Sequence, residues 1–233
     1  MPLPKISQPI FQLTLPSTGK VVHYRPFTVR EEKLLLMAQE SGEKKDIISV
    51  YKQLINNCSI DQVDVDNLAA IDLEYFFICL RAKSVSNISK IQVKDAEDGE
   101  MYEVEVNLDK IEIEKKNASV DNKNVKLTES IGVILKYPTF KTLTKIEDGT
   151  EVDSTLAILR GCIEQIYEGE EVFDAANYSK QELDDFILSL NKAQVEEIQK
   201  FFESMPKLVY NAKYVTKEKV VKDLKIEGLE NFF

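Results

Sequence analysis

"LPSTGKVVHYRPFTVREEKLLLMAQESGE", residues 15–43, decides the fold class, because it sets a hairpin directly against a helix. Just upstream, "IFQLTLP" alternates Phe11, Leu13 and Leu15 with polar neighbours, the period of a half-buried strand. "PSTG" predicts a turn in which Gly19 takes the positive φ of a hairpin corner. "KVVHYRPF" then returns as a second strand, closed by Pro26, which has no N–H to give a continuing ladder. Thr28 and Glu31 have the spacing of a capping box, hydroxyl and carboxylate each satisfying free amides of a first helical turn. The helix that follows carries Leu34, Leu35, Met37 and Ala38 and stops near Gly42.

Working outward, a second helix over 44–57 lines up Ile47, Ile48, Tyr51, Leu54, Ile55 and Cys58 on one stripe. A third, starting near Asp66 or Asn67, is apolar over more than one face and is predicted to be buried on most sides. "ISKIQVK", "DAEDGE" and "MYEVEVNL" read as a hairpin cornered at Gly99. Residues 115–124, "KKNASVDNKN", are polar and aperiodic, a linker or exposed loop. They divide the chain into an N-terminal domain over 1–114 and a C-terminal domain over 125–233. The latter opens strand-like to Pro138. A helix is predicted over 153–167, with Leu156, Leu159, Cys162, Ile163 and Ile166 at helical spacing and Gly169 as its stop. Ser179 and Glu182 begin another capped helix, a last helix halts at Pro206, and "KLVYNAKYV" with "VVKDLKIEG" forms a closing β pair. The class is α+β, helices with separate antiparallel hairpins and no βαβ alternation. Helix followed by hairpin occurs at 66–108 and again at 191–226. A weak duplication and a coincidence of common elements are both open.

Of the 233 residues, 43% are hydrophobic and 30% charged, a balance that supports a sizeable core. Forty acidic against thirty basic residues give a net charge of -10, which argues against nucleic acid as the main partner. Lys207, Lys213, Lys217, Lys219 and Lys222 are an example of a local basic patch, read as a solvated hairpin edge guarded against aggregation. The start, "MPLPKISQPIFQLTLP", lacks the basic and apolar regions of a signal peptide, and no window has the length of a membrane helix. Cys58, Cys79 and Cys162 are too widely spaced for a ligand pair and suit a reducing cytoplasm.

Chemistry is sparse. His23, the single histidine, sits in a strand-like run with no nucleophile or metal partner near it in sequence. "DQVDVDNLAAIDLE" fails the calcium-loop template, since counting from Asp64 puts Leu68 and Ala69 at the fifth and sixth positions. Helix capping accounts for Asp66 and Asn67 there, and "EDGTE" and "AEDGE" read as turns. No phosphate-cradling glycine motif occurs. The expectation is a protein that is not an enzyme and needs no cofactor, metal or small molecule. The end, "GLENFF", puts Leu229, Phe232 and Phe233 at the chain terminus, where they either pack at home or meet a partner.

The run "LPSTGKVVHYRPFTVREEKLLLMAQES" resembles the opening of the baseplate hub subunit family of T-even-like, contractile-tailed bacteriophages. "LEYFFICLRAKSVSN", "FFESMPKL" and "GLENFF" follow in the family's order, so the resemblance spans nearly the whole chain. It implies a structural or assembly role in the central hub, with other baseplate or tail hub proteins as partners. The location implied is the virion tail baseplate, the host cytoplasm, or both. A permanent component and a transient assembly chaperone are both compatible with it. Some relatives carry paired cysteines in the last hairpin, like a small zinc ribbon; "AKYVTKEKVVKDLKI" has none, so no zinc is predicted. The partner-contact candidates are Phe11, Leu13, Tyr24 and Phe27 of the opening hairpin and Leu229, Phe232 and Phe233 of the tail.

Overall fold

A computed structural model describes residues 6–42, 44–114, 123–144 and 151–232. The chain forms two compact units, one of Met1–Val65, Ile71–Glu114 and Lys207–Phe233, the other of Asp66–Ala70 and Lys115–Pro206. The architecture is α+β, with small antiparallel sheets only among the described residues.

In the first unit, β1 (Phe11–Thr14) and β2 (Val21–Tyr24) pair from Phe11↔Tyr24 to Thr14↔Val21. Gly19, at φ +70°, permits the corner, and Leu15 and Lys20 close it with a 2.9 Å backbone bond. Alternation turns Leu13, Leu15, Val22 and Tyr24 inward. The far edge of β2 is covered by the 58–60 segment, where Arg25 N–H donates to the Cys58 carbonyl and Ile60 N–H to the His23 carbonyl. Helix α1 (Val29–Ser41) starts at Thr28 and ends at Gly42 with φ +69°; α2 (Lys44–Cys58) follows, burying Leu54, Ile55 and Cys58.

Helix α3 (Ala70–Ser84) buries Ile71, Leu73, Phe76, Phe77, Ile78 and Leu80, an apolar wrap too wide for one stripe. It begins later than Asp66 or Asn67. A short 3-10 turn occupies Val65–Asn67, and the backbone of 68–70 is engaged elsewhere. Ala69 bridges Thr139, Ala70 N–H donates to the Pro138 carbonyl, and Leu68 accepts from Phe140 N–H. Asp66 and Asn67 therefore lie in the 3-10 turn that precedes α3, ahead of its first turn. The opening hairpin docks on α3: Asp72 accepts from the Ser17 amide and hydroxyl, and the Tyr24 ring meets Phe76 edge-on at 5.5 Å.

β3 (Ile88–Lys94) and β4 (Met101–Asn107) form the hairpin read from the sequence, with Gly99 at its corner. β5 (Glu112–Glu114) leads out of the N-terminal segment. In the second unit, β6 (Asn124–Lys126) and β7 (Ile131–Leu135) precede α4 (Phe140–Thr144) and α5 (Glu151–Cys162).

The helix predicted over 153–167 is corrected here. α5 ends at Cys162, and β8 (Ile163–Glu168) and β9 (Glu171–Asp174) form a hairpin around Gly169, at φ +60°. The cause is a bulge. Ile134 faces Gln165 but Leu135 faces Ile163, which leaves Glu164 without an opposite residue. The extra residue sends Ile163 and Ile166, three apart, to the same face, so a strand acquires helical spacing.

The sheet runs β6-β7-β8-β9. Its inner face, with Val125, Val133, Leu135 and Ile163, packs on α6 (Lys180–Leu188) through Leu183 and Ile187 and on α7 (Lys192–Ser204) through Ile198 and Phe201. Ser179 and Glu182 form the anticipated capping box, and Asn191 with Gln194 forms a further one at α7.

β10 (Lys207–Val215) and β11 (Val221–Glu227) make the closing hairpin, and β5 adds to β10 from Lys207↔Glu114 to Val209↔Glu112. Those pairs place the closing hairpin in the first unit, beside residues more than ninety positions earlier, whereas the sequence reading placed it in a C-terminal domain over 125–233. Buried Asp95 ties the sheet to the β3–β4 turn, accepting from the Tyr214 hydroxyl at 2.6 Å and from Lys222 Nζ at 2.7 and 2.9 Å. The two helix–hairpin stretches are also organised differently: α3 shares its unit with β3–β4, while α7 and β10–β11 belong to different units. Of the proposed linker, residues 115–122 lie outside the described residues.

Candidate interaction surfaces

The capping box of α1 forms the base of the first surface. The Glu31 carboxylate accepts from the Thr28 amide at 2.8 Å and from the Thr28 hydroxyl, and its other oxygen accepts from Arg25 Nη2 at 3.0 Å. Arg25 is held in turn by the carbonyls of Pro26 and Asn57, at 2.9 and 3.0 Å. Burial alone would raise the Glu31 carboxyl, but the Thr28 and Arg25 hydrogen bonds outweigh it and hold the group at about 2. A fixed charge pair thus anchors the join between hairpin and helix.

An open groove of about 1270 Å³ runs past this pair, with Ile6, Ile10, Phe27, Val29 and Ile60 in its lining. Ile6 is 86% exposed, Val29 79%, Ile10 64% and Ile60 52%. Four exposed aliphatic side chains around one groove make a concentrated apolar rim, unlike the single exposed apolar residues common on any protein. Among the described residues β1 pairs with β2 alone, and Ile10 of the rim directly precedes it.

The seven partner-contact candidates lie mainly inside the unit. Leu13, Tyr24 and Phe27 are buried, and Phe11 is half-buried with its ring 5.9 Å from Tyr24. Phe232 packs at home with none of its surface exposed, in the 3-10 turn Leu229–Phe232. Phe233 and the Leu229 side chain lie outside the described residues. Only Phe27 also lines the groove. The rim residues went unread because Ile10 and Val29 bracket the hairpin in sequence while Ile60 reaches them from the end of α2. No periodic pattern joins such positions.

His23 meets Asp61 at 3.0 Å through Nδ1, while Ser59 donates its hydroxyl to the Asp61 carbonyl and not to the His23 ring. The three are neighbours without the nucleophile–base contact that covalent chemistry needs. Burial pushes the Cys58 and Cys79 thiols up to about 11 and the Cys162 thiol to about 12, which suppresses their thiolates. Among the described residues no group of three or more His, Cys, Asp or Glu could hold a metal ion, and no helix is long and apolar enough to cross a membrane. Four lysines of the basic run are paired locally: Lys207 with Glu227 at 3.5 Å, Lys213 with Asp223 at 3.2 Å, Lys217 with Glu100 at 2.8 Å, and Lys222 with Asp95 and Glu97.

The described residues thus define an α+β protein of two compact units whose apolar rim lies beside its opening hairpin. The family model of the T4 bacteriophage base plate protein matches residues 8–233, nearly the whole chain, and the chain belongs to that family. Its family associates it with the baseplate of the phage tail and with other baseplate proteins as neighbours. No match is found among curated proteins or among solved structures.

Proposed function

We propose that this chain is a non-enzymatic hub protein of a contractile-tail baseplate, acting in hub assembly through protein–protein contacts in the host cytoplasm and in the tail baseplate. The observation that carries this reading is the apolar rim of Ile6, Ile10, Val29 and Ile60 beside the opening hairpin, in a chain of the baseplate family. Such a rim gains most by exclusion from water, at about 25 cal/mol per Å² of apolar surface buried, and a neighbouring baseplate protein would supply the cover. The Arg25–Glu31 pair lines the same groove and fixes the turn from hairpin into α1.

A transient chaperone that leaves before the particle is complete is the second reading. It is favoured by the net charge of -10, which suits shielding of a cationic hub partner. Quantitative mass spectrometry of purified infectious particles beside assembly intermediates separates the two. A fixed, small copy number in particles is the expected result. Presence in intermediates alone would make the chain a chaperone, and absence from both would overturn the baseplate role.

A further inference from the structure

The second unit carries a smaller cleft, of about 400 Å³, where the inner face of its sheet extends beyond the cover of α6. Ile131, Ile166 and Phe173 reach it from adjacent strands, since Ile166 lies opposite Phe173 in the β8–β9 register. Leu183 and Phe186 close it from α6, and Tyr178 stands at the mouth, 39% exposed. The rings of Phe173 and Tyr178 meet at 72° with centroids 6.4 Å apart, so they form two walls of a corner. Tyr167, although adjacent, turns its ring to the opposite face, over Gly132, and donates its hydroxyl to Asn124.

Two carboxylates, Glu168 and Glu182, sit at the rim. Glu182 is oriented by its capping bonds from the Ser179 amide and hydroxyl at 2.8 and 2.7 Å, both to Oε2. Residues 164–185, which build most of the cleft, hold eight carboxylates and a single lysine, with one of the eight, Asp184, paired to Arg160. An anion would meet that field unfavourably. A purely apolar side chain would draw water away from the rim carboxylates and return nothing to them. A long side chain with an apolar stem and a delocalised cation meets every requirement, its stem on Leu183 and Ile166 and its head between aromatic faces and carboxylates.

We propose that this cleft receives an arginine side chain from a basic segment of a neighbouring baseplate protein. That the neighbour is a baseplate protein rests on the function proposed above; the arginine chemistry rests on the cleft alone.

The test uses the full chain, ¹⁵N-labelled, titrated with the peptide acetyl-Gly-Arg-Gly-Arg-Gly-amide and with its citrulline counterpart, which keeps shape and loses charge. Amide shifts are expected to cluster at Glu168, Phe173, Tyr178, Glu182 and Phe186, with the citrulline peptide about tenfold weaker. Tyr178→Ala removes one wall at an exposed position and is expected to weaken the arginine peptide about two- to fivefold. Glu168→Gln, also exposed, is expected to weaken it about twofold. Equal binding of the two peptides would overturn the proposal in favour of an apolar occupant. Shifts scattered over other acidic surfaces would overturn it as unspecific attraction. Concentration-dependent broadening of the cleft residues without peptide would assign the cleft to a second copy of the chain. None of these outcomes depends on whether the chain is found in phage particles.

Discussion

The two Ser/Thr–Glu capping boxes use the same chemistry in opposite surroundings. At α1 the Glu31 side chain is 5% exposed and also binds Arg25, which is itself tethered to two backbone carbonyls. At α6, Glu182 stands in solvent and receives only the Ser179 amide and hydroxyl. In water, a capping carboxylate exchanges one set of hydrogen bonds for another of similar strength. Beneath the opening hairpin it has no water to return to. The motif is therefore a local signal at α6 and a tertiary clamp at α1. The aromatic residues repeat the contrast, with Phe232 wholly enclosed and Tyr178 at the mouth of a cleft.

Five substitutions would break or sharpen this contrast, read as shifts in urea unfolding followed by circular dichroism. Phe232→Ala is expected to cost about 3–5 kcal/mol, since an enclosed ring leaves a cavity its neighbours fill only in part. A loss under about 1 kcal/mol would return Phe232 to the list of contact residues. Glu31→Ala is expected to cost on the order of 3 kcal/mol, because it strips Arg25 and the Thr28 donors of their acceptor at once.

The same site sets an acid limit. Glu31 is held at about 2 in the folded chain, below the roughly 4.3 of an unfolded glutamate. Its stabilisation is therefore complete above about 4.3 and is lost as pH falls towards about 2. Glu31→Gln should flatten that part of the stability–pH curve; an unchanged curve would place the acid sensitivity elsewhere.

Ser179→Ala should cost about 1 kcal/mol, the ordinary worth of an exposed N-cap. If it matched Glu31→Ala, burial would not be what separates the two boxes. Tyr178→Ala should be the mildest, within about 0.5 kcal/mol for an exposed position, so its effect on arginine-peptide binding would not be a folding effect.

Where sequence and structure part company, the reasons are specific. The opening hairpin, the box at Thr28 and the stop at Gly42 were legible because each depends on residues within a few positions of one another. The helix read through Ile163 and Ile166 was a strand because one bulged residue, Glu164, converts alternation into a three-residue step. The start of α3 was displaced to Ala70 because the 68–70 backbone pairs with 138–140, some seventy residues away. Of the interaction surfaces, Phe27 was the only candidate that also lines the groove. Ile6, Ile10, Val29 and Ile60 carry no mark that separates an exposed aliphatic residue from a buried one.

Sequence by itself determined the α+β class, the three hairpins at 11–24, 88–107 and 207–227, and the boxes at Thr28 and Ser179. All of these are set by local periodicity, turn chemistry and capping geometry. Only the tertiary structure decided that β10–β11 joins the unit built by the N-terminal segment, which aromatic residues are enclosed, and where an apolar rim and an acidic aromatic cleft are left open. Those outcomes depend on pairing between distant segments. A strand shows in its own residues which face is apolar, but not which other strand or helix will cover it.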